Sequence, residues 1–217
     1  MIIARNNFAN ADVLARSLAS NVAASLRQAL AGKEKATLAV SGGSTPQKFF
    51  EALSRQKLDW SRVTVTLIDE RQVDEASPRS NAKLVKAALV QNEAANAHFV
   101  PLFQNPAAAE IADFDVAILG MGNDGHTASF FPAGDTLSQA LSESAPPLLA
   151  ISAPGSGEPR LTFSLSKILA SAEIILHIQG IDKIATLERA MQDGEILEMP
   201  VRAVLRSDRA IEIYWCP

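Results

Sequence analysis

Cysteine is almost absent from this chain: Cys216 is the only one in 217 residues. One thiol makes no internal disulfide and no cysteine metal cluster, which fits a reducing compartment. Cys216 also closes an apolar run, a poor setting for a catalytic thiol. Between Met1 and Asn10 there is no basic segment followed by an apolar core, so no secretory leader is expected. No apolar run approaches the ~18 residues of a membrane span. An excess of either charge is lacking too, the formal net charge being −4. That balance disfavours non-specific attachment to nucleic acid or an anionic membrane. It leaves room for an anionic small molecule, because a few Arg and Lys side chains can dominate one pocket. The three histidines, His98, His126 and His177, are scattered without metal-ligand spacing, so no metal site is expected. No internal repeat or low-complexity tract is visible. The reading from these absences is a soluble cytoplasmic protein with neither nucleic-acid nor membrane partners.

What is present is material for a core. Hydrophobic residues make up 47% and charged residues 20%, enough for one compact domain over residues 1–217. Val13, Leu14, Leu18, Val22, Leu26 and Leu30 recur at helical spacing, predicting a helix over Asp12–Leu30 capped by Asn10 or Asp12. Ala36–Val40 reads as a buried strand stopped by glycines, and Pro46 suits the first turn of a helix to about Leu53. Further strands are predicted at Val63–Ile68, Phe99–Leu102, Phe114–Leu119, Leu148–Ile151, Ile174–Ile178 and Ala210–Trp215. Helices are predicted at Ser80–Val90 and Asp182–Met191. Strand followed by helix, repeated, predicts an α/β fold, a three-layer α/β/α domain with a mostly parallel, Rossmann-like sheet. Loops leaving the carboxyl ends of such strands gather at one edge, where ligands bind.

Three of those loops carry chemistry. Ser41, Gly42, Gly43, Ser44 and Thr45 join a strand to a helix. Glycines let the backbone approach an anion, and free N–H and hydroxyl groups supply donors. The stretch reads equally as a phosphate cradle or as a tight turn before a helix; it lacks the spacing and lysine of a P-loop. Asp69, Glu70 and Arg71 follow a buried strand, with Ser80 and Asn81 further on. Arg71 is suited to holding a phosphate or a substrate oxygen with its planar fork, or to an ion pair with Asp69 or Glu70. The most specific stretch runs from Gly120 to Pro132 and sets Asp124 two residues before His126. A histidine accepts a proton from water near neutral pH, and a carboxylate can orient its ring. No Gly-x-Ser-x-Gly elbow is present, so activated water is the better nucleophile. His177 lies inside an apolar run and reads as a core or sheet-face histidine. Arg160, after the loop Pro154–Pro159, and Lys183, near a helix start, are either surface charges or anion ligands.

These stretches, in this order, resemble the 6-phosphogluconolactonase family, which shares its fold with glucosamine-6-phosphate isomerases and deaminases. The matching segments are AVSGGSTPQKFF from Ala39, LIDERQV from Leu67 with Ser80-Asn81, ILGMGNDGHTASFFP from Ile118, and PRLTFS from Pro159. The resemblance implies hydrolysis of 6-phospho-D-glucono-1,5-lactone to 6-phosphogluconate in the pentose phosphate pathway, with neither metal nor organic cofactor. It implies that His126 activates water and that Arg71, Arg160 and Lys183 engage phosphate and oxygens; Asp124 is the local candidate for orienting the His126 ring, Arg71 is counted with the catalytic residues, and Asp69 and the Ser41–Thr45 loop are counted with the binding residues. A sugar phosphate lactone is the expected partner, and a monomer or weak homodimer the expected state. A deaminase would carry DGHIAFNEP-like residues, whereas Thr127-Ala128-Ser129-Phe130-Phe131-Pro132 follow His126 here. The chain departs from the pattern at Gln72, where the family has an aromatic residue, and in the loop Asp74–Arg79.

Overall fold

A computed structural model describes residues 2–217, together with the side chains from Ala4 onward. Met1, where the stretch read for a leader begins, lies outside the described residues. The strands are β1 (Ile2–Asn7), β2 (Ala36–Val40), β3 (Val63–Leu67), β4 (Asp69–Arg71), β5 (His98–Val100), β6 (Val116–Leu119), β7 (Leu148–Ile151), β8 (Arg160–Phe163), β9 (Glu173–Gln179) and β10 (Ala210–Cys216). The helices are α1 (Ala11–Gly32), α2 (Gln47–Leu53), α3 (Asn81–Ala88), α4 (Leu137–Ala140), α5 (Leu165–Leu169), α6 (Ile181–Met191) and α7 (Val201–Leu205).

Seven strands form one sheet in the order β1-β10-β9-β6-β2-β3-β5, and every neighbouring pair is parallel. β2 and β6 are buried along their whole length, as strands covered on both faces must be. The chain steps from β2 to β3 on one side and places β6 on the other side of β2. The order therefore reverses between β2 and β6, the point where open α/β sheets leave a crevice beyond their carboxyl ends. α1 packs on α2 and α2 on α3, while α6 packs on β9 and α7. The right-handed crossover rule puts these two groups on opposite faces, because the first set connects strands running one way and the second the other.

α1 begins where the Asn10 side chain accepts the N–H groups of Asp12 and Val13, at 3.1 and 3.0 Å. Its buried residues, among them Leu14, Leu18, Val22, Leu26 and Leu30, form the stripe that the periodicity predicts, whereas Val13, counted with them, is exposed. The buried apolar side chains form one cluster running from Leu14 to Cys216.

Two expectations are corrected. Asp69-Glu70-Arg71 is not a loop but a strand, and Leu148–Ile151 does not join the parallel sheet. β4, β8 and β7 make a second, antiparallel sheet of three strands. β4 follows β3 after one residue, and Ile68 accepts the N–H of Phe163 at 3.0 Å. The backbone ladder to β8 holds this charged segment extended without an apolar pattern.

Candidate active site

The loops leaving β2 and β6, together with β4, β8 and the start of α6, surround a cleft of about 380 Å³. Its lining includes Ser41, Gly42, Gly43, Ser44, Thr45, Asp69, Arg71, His126, Arg160 and Lys183. Every residue expected from the sequence therefore converges here except Asp124, which stands behind His126.

The β2 loop is tied to β6. Ser41 donates its N–H to the Ile118 carbonyl at 2.9 Å, and its hydroxyl accepts the N–H of Gly120 at 3.2 Å. No hydrogen bond among the described residues occupies the N–H groups of Gly42, Gly43, Ser44 or Thr45. Gly42 is a steric requirement: a Cβ there would overlap the amide of Asn81, which donates to the Asp69 carbonyl at 3.0 Å.

The small sheet places the charges. Arg71 is directly opposite Arg160, and Asp69 opposite Thr162, so all four share one face. Like charges facing each other across an antiparallel pair repel. Burial lowers the Arg160 pKa first, while Asp69 opposes that shift and Arg71 adds to it. Asp69 accepts the Ser129 hydroxyl at 2.6 Å. The alternative reading of Arg71, an ion pair with Asp69 or Glu70, does not form; the Arg71 guanidinium donates to the Arg79 carbonyl instead. Its Nε and that of Arg160 are buried without a partner. The Arg160 guanidinium donates from Nη2 to the Ser156 carbonyl at 2.7 Å. Glu70 points away from the cleft and accepts the N–H groups of Arg71, Asn81 and Ala82 at 2.7, 2.9 and 2.7 Å. Glu70 thus has a structural task, as the acceptor for the start of α3. Gln72, where the family pattern has an aromatic residue, uses its side chain to hold the Arg160 carbonyl at 3.1 Å.

The β6 loop carries the proton chemistry. Thr127 fastens it by donating its hydroxyl to the Gly120 carbonyl at 2.7 Å, and Gly122 donates to the His126 carbonyl at 2.8 Å. His126 Nδ1 lies 2.6 Å from Asp124 Oδ1. Burial alone would raise the Asp124 carboxyl, but the hydrogen bonds and charge of His126 outweigh it and hold it below the usual carboxylate value. An ionised carboxylate only accepts, so Nδ1 carries a hydrogen, and in the neutral ring the lone pair is then the one on Nε2. The His126 ring lies 4.2 Å from that of Phe131, whose ring also sits 5.3 Å from the Arg160 guanidinium carbon. Lys183, in the first turn of α6, has its pKa lowered by burial, against the pull of Asp124 and Asp182.

Phe131, Asn81 and His177 also line the cleft. Phe131 and Asn81 stand inside the stretches that carry the resemblance, and their apolar and amide side chains give no separate chemical signal. His177 is buried in β9 as the sequence suggests, yet it reaches the cleft. Among the described residues no three His, Cys, Asp or Glu side chains group as metal ligands, and no helix is long and apolar enough to cross a membrane.

A parallel α/β sheet whose switch point opens into a cleft with a His–Asp pair, bordered by a second sheet that brings two arginines, is the architecture of a cleft enzyme. The sequence model of the glucosamine-6-phosphate isomerases/6-phosphogluconolactonase family matches residues 9–215, and the chain belongs to that family. A 6-phosphogluconolactonase of Rhizobium meliloti is 47% identical, with 97% of each chain covered. The crystal structure of a 6-phosphogluconolactonase from Shewanella baltica superposes with a TM-score of 0.95 at 38% identity, covering 99% of this chain and 98% of that one. A monomeric glucosamine-6-phosphate deaminase, 16% identical with a TM-score of 0.78 and 100% and 97% covered, shares the fold.

Proposed function

We propose that this protein hydrolyses 6-phospho-D-glucono-1,5-lactone to 6-phosphogluconate in the cytoplasm, with His126 as the general base. The Ser41–Thr45 loop, Arg160 and Lys183 hold the phosphate, and the lactone carbonyl faces His126. Nε2 takes a proton from water while the water oxygen attacks the carbonyl carbon. Arg71 or loop N–H groups stabilise the oxyanion. The tetrahedral intermediate expels the ring oxygen, to which His126 returns the proton. Asp124 holds the ring in the tautomer that leaves Nε2 basic and stabilises the imidazolium between the two transfers.

The observation that carries this reading is the 2.6 Å contact between Asp124 and Nδ1, in a cleft that Arg71, Arg160 and Lys183 also line. The lactonase names of the relatives and the run Thr127–Pro132 after His126 favour ring opening over deamination.

The test follows hydrolysis of freshly made lactone by wild type and His126→Ala, with spontaneous opening subtracted and EDTA present. Turnover falls by ~10²–10⁴-fold in the variant if general-base catalysis is what His126 contributes. Wild-type turnover in the variant would remove His126 from the mechanism. Ammonia released from glucosamine 6-phosphate, with no lactone turnover, would replace the whole reading.

A further inference from the structure

His177 is a buried titratable group for which the mechanism above has no use. Its residue exposure is 5%, and it lines the cleft. No hydrogen bond among the described residues involves its ring, although buried side chains normally find a partner. Neither ring nitrogen is sealed in the core without a partner, as Nε of Arg71 and of Arg160 are. A ring that has no protein partner and is not sealed off keeps its polar edge toward the cleft.

Its position fixes what that edge meets. Leu176 pairs with Leu119, so His177 stands level with Gly120, whose N–H donates to the Ser41 hydroxyl. Val40 pairs with Ile118, so Gly42 stands level with Gly120 in turn, and His177, Gly120 and Gly42 form a row at the carboxyl ends of three adjacent strands, next to Ser41. The Phe49 ring, on the first turn of α2, meets the His177 ring edge-on at 5.9 Å. That contact places His177 on the face covered by α2, below the chain that leaves the Ser41–Thr45 loop. Lys183 lines the same cleft six residues further on.

We propose that His177 is a binding residue of the cleft, a neutral imidazole on its floor that donates a hydrogen bond to the phosphate of the ligand. This rests on the sugar-phosphate reading of the cleft. Burial holds the ring at a pKa of about 4, so it stays neutral at physiological pH and offers one N–H. A neutral donor binds an anion without adding to the repulsion already present between Arg71 and Arg160. The adjoining loop adds the N–H groups of Gly42, Gly43, Ser44 and Thr45, which no hydrogen bond among the described residues occupies.

Inorganic phosphate is the probe, titrated into wild type, His177→Leu and His177→Gln by calorimetry, with the ring signals of His177 followed by NMR in wild type. A hydrogen bond to a charged group accounts for roughly tenfold or more in affinity. His177→Leu is expected to weaken phosphate by about that factor, and His177→Gln, which keeps an N–H donor, to recover part of it. With the lactone as substrate, KM rises in His177→Leu while kcat stays close to wild type. The wild-type ring signals shift with phosphate and saturate with the calorimetric curve. Unchanged phosphate affinity in a folded His177→Leu, or ring signals that stay fixed at saturation, would overturn the assignment and leave the lactonase reading standing. Wild type that binds no phosphate at all would overturn both.

Discussion

Gly122 has no side chain because the space a Cβ would fill is already taken by the His126 ring and the Asp124 carboxylate. A methyl group there separates the pair that keeps Nε2 basic. Gly122→Ala is therefore expected to lose turnover toward the level of His126→Ala while its circular dichroism stays native; full activity would mean that the Asp124 contact does not matter. His177 gives a prediction about stability rather than rate. Its folded pKa of about 4 lies below the ordinary histidine value of 6.5 because burial disfavours the charged ring. Between those values the unfolded chain binds a proton that the folded chain does not, so stability falls as pH drops from 6.5 toward 4. The full displacement corresponds to roughly 3 kcal/mol. Urea titrations at pH 7 and pH 5 measure it: the loss on acidification is expected to shrink in His177→Leu. An equal loss in both proteins would assign the acid sensitivity to the carboxylates.

At the scale of elements, α3 shows how a functional loop is anchored from behind. Glu70 accepts the N–H groups of Asn81 and Ala82, and Ser80 caps Lys83 N at 3.2 Å. The same carboxylate holds the N–H of Arg71, so the residue between two charges of the cleft fixes the helix that carries Asn81. Glu70→Ala leaves two buried N–H groups, of Asn81 and Ala82, and the half-buried one of Arg71 without their acceptor. At about 1–3 kcal/mol for an unmet buried donor, partly relieved by water, the expected loss is about 3 kcal/mol in urea unfolding. A loss below about 0.5 kcal/mol, the range of ordinary surface changes, would show that α3 starts without Glu70. The same segment marks where sequence reading stops. α1, β2, β6, β9 and β10 were legible because apolar periodicity or a continuous apolar run created them. β4 is three charged residues, and only its ladder to β8 makes it a strand. β1 is an edge strand whose last residues, Arg5, Asn6 and Asn7, carry no alternation. Pairing partners brought from afar leave no local pattern to read.

At the scale of the molecule, most of the site was legible for the same reason as the sheet. Each reactive stretch follows a strand of the parallel sheet, or in β4 its direct continuation, and parallel strands end on one edge. Arg160 could not be set beside Arg71 from sequence, because their opposition depends on the antiparallel register of β4 and β8. Both sheets share one apolar cluster, in which Phe114, just ahead of β6, meets Phe163 of β8 at 5.0 Å. The cleft is built from both sheets, so the two are expected to melt together. Differential scanning calorimetry should give one transition, with calorimetric and van't Hoff enthalpies equal. Phosphate binds only when β2, β4, β8 and α6 are all in place, so it should move that whole transition. At a hundred times its dissociation constant it adds about 2.7 kcal/mol, roughly 5–10 °C for a chain of this size. The shift should nearly vanish in an Arg160→Ala, Lys183→Ala double variant. Two transitions, only one of them moved by phosphate, would mean that the small sheet folds separately from the parallel one and that the cleft closes only after both have formed.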